Sequence, residues 1–375
     1  MCYALRVRCW FISSLVLMGV MMTKPVRLGL IGCGGIVQLV HARAYLSLPD
    51  TVKVVALADV LEANLQQVGQ TFGVPPDQQY SDYRDMLATA EIDAVTVATP
   101  HFLHAEHAVE AASAGVAVIS EKPMATSLAE ADTILDAVER NNVAYGIVHN
   151  YLYTLAMQEG FVQRAKLGAS IFGRAAGMGL KPADFSTEHS DPAQAWRASK
   201  AKGGGCIGDS SYHEIYSVNA LMDSPVRYVE ARVKTLSIDV DVDDIAMLLC
   251  EHENGAVSTV SSAWCVPDLD TGWCEVHTNE GSLRIRHRKN MPDSLMRYTR
   301  ADDWQHLEIP GRADPEFNDP SGHVGFFAAT FNALASGREL PISGKHGRHN
   351  LAIIEAARRA TEERRAIDLE SLRRS

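Results

Sequence analysis

Apolar runs of five to seven residues alternate with longer amphipathic stretches from Val26 to Val148, the pattern that repeated strand-helix units leave in a sequence. Val26 to Ile31 predicts a first strand, followed by a glycine turn and a helix to about Leu48. Val52 to Ala58 predicts a second strand ending at Asp59, and Ala94 to Ala98 another ending at Thr99-Pro100. His104 to Ala114 reads as a helix closed by Gly115, a common C-cap choice. Val116 to Ser120 then delivers Glu121-Lys122-Pro123, and Ala144 to Val148 delivers His149-Asn150-Tyr151. This is the order of an α/β, doubly wound parallel sheet. Ligands of such open sheets lie beyond the carboxyl ends of the strands, where these loops collect.

Beyond Tyr151 the segments lengthen and alternate: Ser170 to Leu180, Arg227 to Thr235, Ile245 to Glu251, Ala256 to Ala263, Cys274 to Thr278 and Ser282 to Arg286. Joined by Asn254-Gly255 and Glu280-Gly281, they predict a large, mainly antiparallel sheet in a second, α+β domain. Helices expected at Gly325 to Ala335 and Leu351 to Glu363 would cover that domain from outside. The division is therefore 1–22 as an extension, 23–150 as a nucleotide domain and 151–375 as a substrate-binding and oligomerisation domain. A chain of 375 residues suits two domains at ~100 to 200 residues each.

Charge narrows the partners. The 35 basic and 46 acidic residues leave a net −11, and no basic stripe with interleaved aromatics appears, which argues against a nucleic-acid surface. A small molecule is the expected partner. The seven cysteines are scattered without a Cys-x-x-Cys pair, so a reducing, cytoplasmic setting is expected. Arg6 and Arg8 followed by the apolar run Trp10 to Met22 imitate a secretory signal, but that run of thirteen is short of the ~20 residues a spanning helix needs. No Ala-x-Ala-like cleavage site follows. Residues 1–22 read as an upstream start included in the translation, with export as the alternative, and no membrane partner is expected.

Gly32-Cys33-Gly34-Gly35-Ile36-Val37 follows a predicted strand and opens a helix, the context that gives a glycine-rich dinucleotide motif its weight. Gly32 permits the tight turn, and Gly34 lets the backbone approach a pyrophosphate at the helix N-terminus. Val37 departs from the usual Gly or Ala and would hold helix and strand further apart, with Gly35 compensating. Asp59 stands twenty-two residues past Val37, where a carboxylate accepts hydrogen bonds from both ribose hydroxyls and repels a 2′-phosphate. NAD is expected rather than NADP.

Gly203-Gly204-Gly205 precedes Asp209 and His213, which are four apart and would share one face of a helix. The glycines would let the backbone come close to a ligand. Oxidising a secondary alcohol needs a base for the hydroxyl proton, and histidine, with an ordinary pKa of ~6.5, is matched to that task. A nearby carboxylate can stabilise the imidazolium, and a lysine ammonium can polarise a substrate oxygen. Asp239, Asp241, Asp243 and Asp244 lack the glycine and terminal glutamate of a calcium loop, and Cys265, Cys274 and His277 lack zinc spacing. No metal is expected.

Together the nucleotide loop, Glu121-Lys122-Pro123 and the triple glycine with Asp209 and His213 resemble the glucose-fructose oxidoreductase / inositol dehydrogenase (Gfo/Idh/MocA) family, from about Lys24 to the C-terminus. The resemblance implies a nicotinamide-dependent dehydrogenase acting on a secondary hydroxyl of a sugar, cyclitol or derivative. A glycosidase that oxidises transiently and a non-catalytic cofactor-binding regulator are the alternatives. It makes His213 the general acid/base, Asp209 its orienter and Lys122 the electrostatic partner. It places Gly32, Gly34, Gly35, Ile36, Asp59, Thr99, Pro100, His104, Glu121 and Lys122 around the cofactor, and Tyr151, Trp196 and Arg197 beside Lys122, Asp209 and His213 around the substrate. His323 is a speculative further contact. Leu152, Ser211 and Tyr216 depart from the family pattern and point to an altered pocket, and the open sheet face implies a homodimer or homotetramer.

Overall fold

Strand β1 (Val26–Ile31) buries every residue but Arg27, as a central strand covered on both faces must. With β2 (Val52–Ala58), β3 (Gln79–Tyr80), β4 (Ala94–Val97), β5 (Ala117–Ser120) and β6 (Tyr145–Ile147) it forms a six-stranded sheet of order β3-β2-β1-β4-β5-β6. Every pair in it is parallel. Parallel neighbours require crossovers, supplied by α1 (Ala42–Leu46), α2 (Glu62–Phe72), α3 (Tyr83–Thr89), α4 (His104–Ser113) and α5 (Leu128–Asn141). The strand order reverses between β1 and β4, which opens the ligand crevice of this topology. The helix expected after the glycine turn begins at Gly35, passes through a π turn over Val37–His41 and continues as α-helix over Ala42–Leu46.

The computed structural model describes residues 24–179, 195–237, 239–267, 273–286, 294–311 and 319–373. The N-terminal extension and residues 180–194 lie outside them. No helix among the described residues is long and apolar enough to cross a membrane.

The second sheet has nine strands. After α6 (Leu155–Arg164), β7 (Ser170–Met178), α7 (Cys206–Asp209) and α8 (Ser211–Met222) come β8 (Val226–Lys234), β9 (Ile245–His252), β10 (Val257–Ala263), β11 (Trp273–Thr278), β12 (Gly281–Arg286), β13 (Ser294–Thr299), β14 (Gln305–His306) and β15 (Ile367–Asp368). Their order is β14-β13-β12-β11-β7-β10-β9-β8-β15, antiparallel except for β7 beside β10. Helix α8 lies close against β7 because Gly173 and Gly177 have no side chains. A Cβ on Gly173 would stand 2.5 Å from Met222 Sδ, and one on Gly177 2.1 Å from Glu214 Oε1. The opposite face leaves Met247 and Leu249 of β9 nearly half exposed.

Helices α9 (His323–Ala335) and α10 (Gly344–Glu363) follow. The chain forms two compact units: the described residues to His149 join His323–Arg348, and Asn150–Gly322 join the residues from His349 onward. Helix α9 thus belongs to the nucleotide unit, correcting its expected place on the outside of the second domain. The cause is aromatic: Phe326, Phe327 and Phe331 are fully buried, and Phe327 packs on Tyr45 of α1 at 4.7 Å between ring centroids.

Candidate active site

The nucleotide turn is built around a glycine that the protein itself requires. Gly32 has φ +92° and a Cβ there would lie 2.8 Å from the Ala98 carbonyl oxygen, so β1 and β4 end against each other only with glycine at this position. Gly34 and Gly35 differ, since a Cβ on either would meet no protein atom within 4 Å. Beside them Asp59 accepts the Cys33 N–H at 2.7 Å and the Leu61 N–H at 2.8 Å. Asn64 Nδ2 reaches both of its oxygens at 3.3 Å. A carboxylate fixed at the end of β2, next to an open glycine cradle, has the chemistry of an NAD adenosine ribose and pyrophosphate site. When bound, NAD supplies the hydride acceptor.

At the end of β5, Glu121 is almost fully buried. His41 Nε2 donates to its Oε1 at 2.7 Å, the Lys122 N–H donates to its Oε2 at 3.1 Å, and His323 Nε2 lies 4.0 Å from Oε1. Burial opposes the charge of this carboxyl, but the His41 bond and the nearby His41, His323 and Lys122 charges outweigh it and bring the pKa down to about 2. Glu121 is therefore ionised and bonded to the backbone that carries Lys122. His41, Glu121 and His323 bring nitrogen and oxygen atoms within 4.8 Å of one another. Ligands of a tetrahedral zinc lie about 3.4 Å apart, so the 2.7 Å His41–Glu121 contact has the spacing of a shared proton. His41 carries no motif signal in the sequence; its partner is eighty residues away.

The Thr99-Pro100 loop is held from within the same unit. Thr99 Oγ1 bonds His107 Nδ1 at 3.0 Å, and burial pushes the His107 pKa down to about 4, so this ring is neutral at working pH. His104, the first residue of α4, is fully buried.

In the second unit Gly204 and Gly205 serve the chain's own packing. A Cβ on Gly204 would stand 2.1 Å from the Arg197 carbonyl oxygen, and one on Gly205, where φ is +109°, 2.4 Å from Asp243 Oδ1. This corrects the expectation that these glycines make room for a ligand. Asp209 ends α7 and His213 lies in the first turn of α8, with Ser210 between them in helical conformation. Asp209 is paired with Arg197 at 3.4 Å, and the Arg197 guanidinium stacks over Trp196 at 4.4 Å. Tyr151 lies against the His213 ring at 4.5 Å.

His213 Nδ1 is hydrogen-bonded to the Tyr216 hydroxyl at 2.8 Å. Asn150 Nδ2 donates to the Ser321 carbonyl at 2.6 Å, which turns Asn150 Oδ1 toward Tyr216 at 3.4 Å. Burial raises the Tyr216 pKa well above its ordinary value, so the hydroxyl keeps its proton, and the Tyr151 N–H donates to the Tyr216 oxygen at 3.2 Å. An Nδ1–H on His213 fits this set when the Tyr216 proton is directed to Asn150 Oδ1, which only accepts. In the sequence Tyr216 is marked only as a departure from the family pattern and Asn150 only as part of the turn after the last strand of the first sheet; that the two are bonded to each other is not legible there.

Comparison with known proteins agrees with both halves. Residues 26–149 match the oxidoreductase family's NAD-binding Rossmann fold and residues 162–284 the GFO/IDH/MocA C-terminal domain. Levoglucosan dehydrogenase of Pseudarthrobacter phenanthrenivorans is 28% identical over 306 residues, 71% of this chain and 75% of that protein. D-apiose dehydrogenase of Paraburkholderia graminis is 26% identical over 351 residues, 92% and 89% of the two chains. Among solved structures, levoglucosan dehydrogenase in complex with NADH shares the fold at a TM-score of 0.81 and 24% identity, covering 92% of this chain and 99% of that one. The aldose-aldose oxidoreductase of Caulobacter crescentus complexed with glycerol does so at 0.78 and 21%, covering 92% and 100%. An ionised Glu121 beside Lys122, a glycine cradle next to Asp59 and the two matching domains have one reading: the chain is an NAD-binding oxidoreductase of the Gfo/Idh/MocA family.

Proposed function

We propose that the protein oxidises a secondary hydroxyl of a sugar, cyclitol or sugar derivative with NAD, reversibly. The observation that carries this is the hydrogen-bond chain from His213 through Tyr216 to Asn150. With its Nδ1 proton given to Tyr216, the His213 ring holds its lone pair on Nε2, the atom that takes the hydroxyl proton. Ionisation of the imidazole as it does so is supported by the hydroxyl at Nδ1 and by the Asp209 carboxylate. Lys122 has the role of stabilising developing alkoxide charge, its backbone held by Glu121. Trp196, Arg197 and Tyr151 are the proposed contacts for substrate hydroxyls. The dehydrogenase activities named for the similar proteins act on levoglucosan and D-apiose, which supports a carbohydrate as the substrate class.

The test is reduced-nicotinamide absorbance with purified protein, NAD or NADP, and a panel of sugars, sugar acids and inositols. A substrate-dependent rise with NAD is expected. His213→Ala should lower the rate by about 10²- to 10⁴-fold while NAD affinity stays within twofold. Turnover unchanged in that variant would sink the assignment of the base.

A further inference from the structure

We propose that His104 is a positioning residue whose imidazolium form clasps the two cofactor loops together, so that the pairing shown here is the protonated state of the site. Both ring nitrogens face backbone carbonyl oxygens: Nδ1 lies 2.7 Å from Pro123 O and Nε2 2.7 Å from Thr99 O. A carbonyl oxygen only accepts, so each nitrogen must donate, and a ring that donates from both nitrogens carries two protons and a positive charge. Pro123 follows Glu121-Lys122, and Thr99 precedes Pro100. One side chain thus ties the ends of β4 and β5, adjacent strands whose loops flank the crevice. With both nitrogens bonded to the chain, His104 serves the cofactor site by holding its walls. This rests on the NAD site described above, and on none of the substrate assignment.

The surroundings set the direction of its pH dependence. His104 is completely buried, and burial pushes its pKa below the ordinary histidine value. The two carbonyls and the Glu121 carboxylate favour the charged ring, and the Lys122 ammonium opposes it. The other groups facing it are His101, at 5.6 Å between ring centroids, and His107, whose pKa near 4 leaves it neutral above pH 5. Because the ring's pKa is lowered, the doubly bonded clasp belongs to the acid side and is lost as pH rises through that value. A ring with one proton keeps one carbonyl and turns a lone pair toward the other, and that loop is released. NAD affinity should fall by about tenfold, the loss of roughly one charged hydrogen bond, as the clasp half opens.

The test uses the full chain with uniformly ¹⁵N-labelled histidine. Ring nitrogen spectra recorded from pH 7.5 down to the acid limit of the folded protein, assigned through the backbone of residue 104, should show one protonated nitrogen at the upper end and two at the acid end. Over the same range NAD dissociation constants from fluorescence titration should rise with pH. Backbone amides in 99–103 and 121–126 should exchange faster as pH rises, after correction for intrinsic pH dependence. His104→Gln offers one amide donor and does not titrate, so its NAD affinity should be flat in pH and equal to the wild-type value at pH 7.5. A His104 ring with a single proton throughout the folded range would overturn the proposal, as would a His104→Gln variant that keeps the wild-type pH dependence. If that variant fails to fold, the wild-type ring spectrum decides alone. None of these readouts needs a substrate, so a failed search for one leaves this test intact.

Discussion

Two glycine-rich turns, one in each unit, look alike in sequence and differ in what the missing side chains leave room for. At Gly34 and Gly35 a Cβ would meet no protein atom, whereas at Gly204 and Gly205 it would collide with the Arg197 carbonyl and the Asp243 carboxylate. The first turn has space the fold does not use, which is how a site shaped for a ligand reads when only the protein is considered. The second is filled by its own chain. Arg197 accepts the Gly205 N–H at 3.2 Å, and Asp243 Oδ2 accepts the Ile207 N–H at 2.7 Å, so these glycines shape the approach to α7 that carries Asp209. Glycine in a motif marks a close approach, and the identity of the approaching group decides whether its loss damages binding or folding.

Gly204→Ala is the strongest way to break this comparison. The obstructing atom is a backbone oxygen 2.1 Å from the new Cβ, and relieving it requires moving the 197–199 turn that also carries the Arg197–Asp209 pair. A loss of more than about 3 kcal/mol is expected, at the upper end of overpacking costs, read as a lowered urea midpoint or as failure to accumulate soluble protein. A variant with wild-type stability that instead loses only substrate affinity would mean that these glycines face a ligand after all.

Gly34→Ala should act in the opposite sense. Its backbone is outside the left-handed region and its surroundings are open, so the substitution restricts the unfolded chain at no packing cost. The apoprotein should gain up to about 1 kcal/mol, while a methyl group in the pyrophosphate cradle weakens NAD binding by roughly ten- to a hundredfold, about 1.4 to 2.7 kcal/mol. Urea melts without cofactor and NAD titrations separate the two effects. Undiminished NAD affinity would remove the cradle from the cofactor site.

What the sequence shows and what it hides follow from the range of the interactions. Strands β1 and β2 begin and end where their apolar runs do, because both faces of a central parallel strand are buried and the run is the whole signal. The nucleotide turn and Asp59 are legible since one βα unit contains them. The bonds that set chemical states are long-range: Asn150 is turned by Ser321, 171 residues away, and Glu121 is paired with His41 across eighty. Asp209 and His213, four apart on either side of the helical Ser210, are legible from spacing, whereas the bonds that reach Tyr216 from Asn150 and from the Tyr151 N–H come from 66 and 65 residues away. The place of helix α9 is hidden for the same reason, since Phe327 packs on Tyr45, far back along the chain.

Gly73→Ala carries the smallest effect and isolates backbone strain from crowding. Gly73 closes α2 at φ +68°, and a Cβ there would meet nothing within 4 Å. Only the left-handed conformation penalises a side chain, by about 1 to 2 kcal/mol, so Gly73→Ala should lower the urea midpoint by less than Gly204→Ala does and leave NAD affinity unchanged. Gly73→Asn should recover part of the loss, because asparagine tolerates this region better than alanine. If Gly73→Ala proves as costly as Gly204→Ala, backbone conformation would account for the second turn as well, and the distance to Arg197 would lose its place in the argument. If it is milder and asparagine rescues it, the heavier cost at Gly204, whose φ is not left-handed, belongs to the carbonyl it would strike.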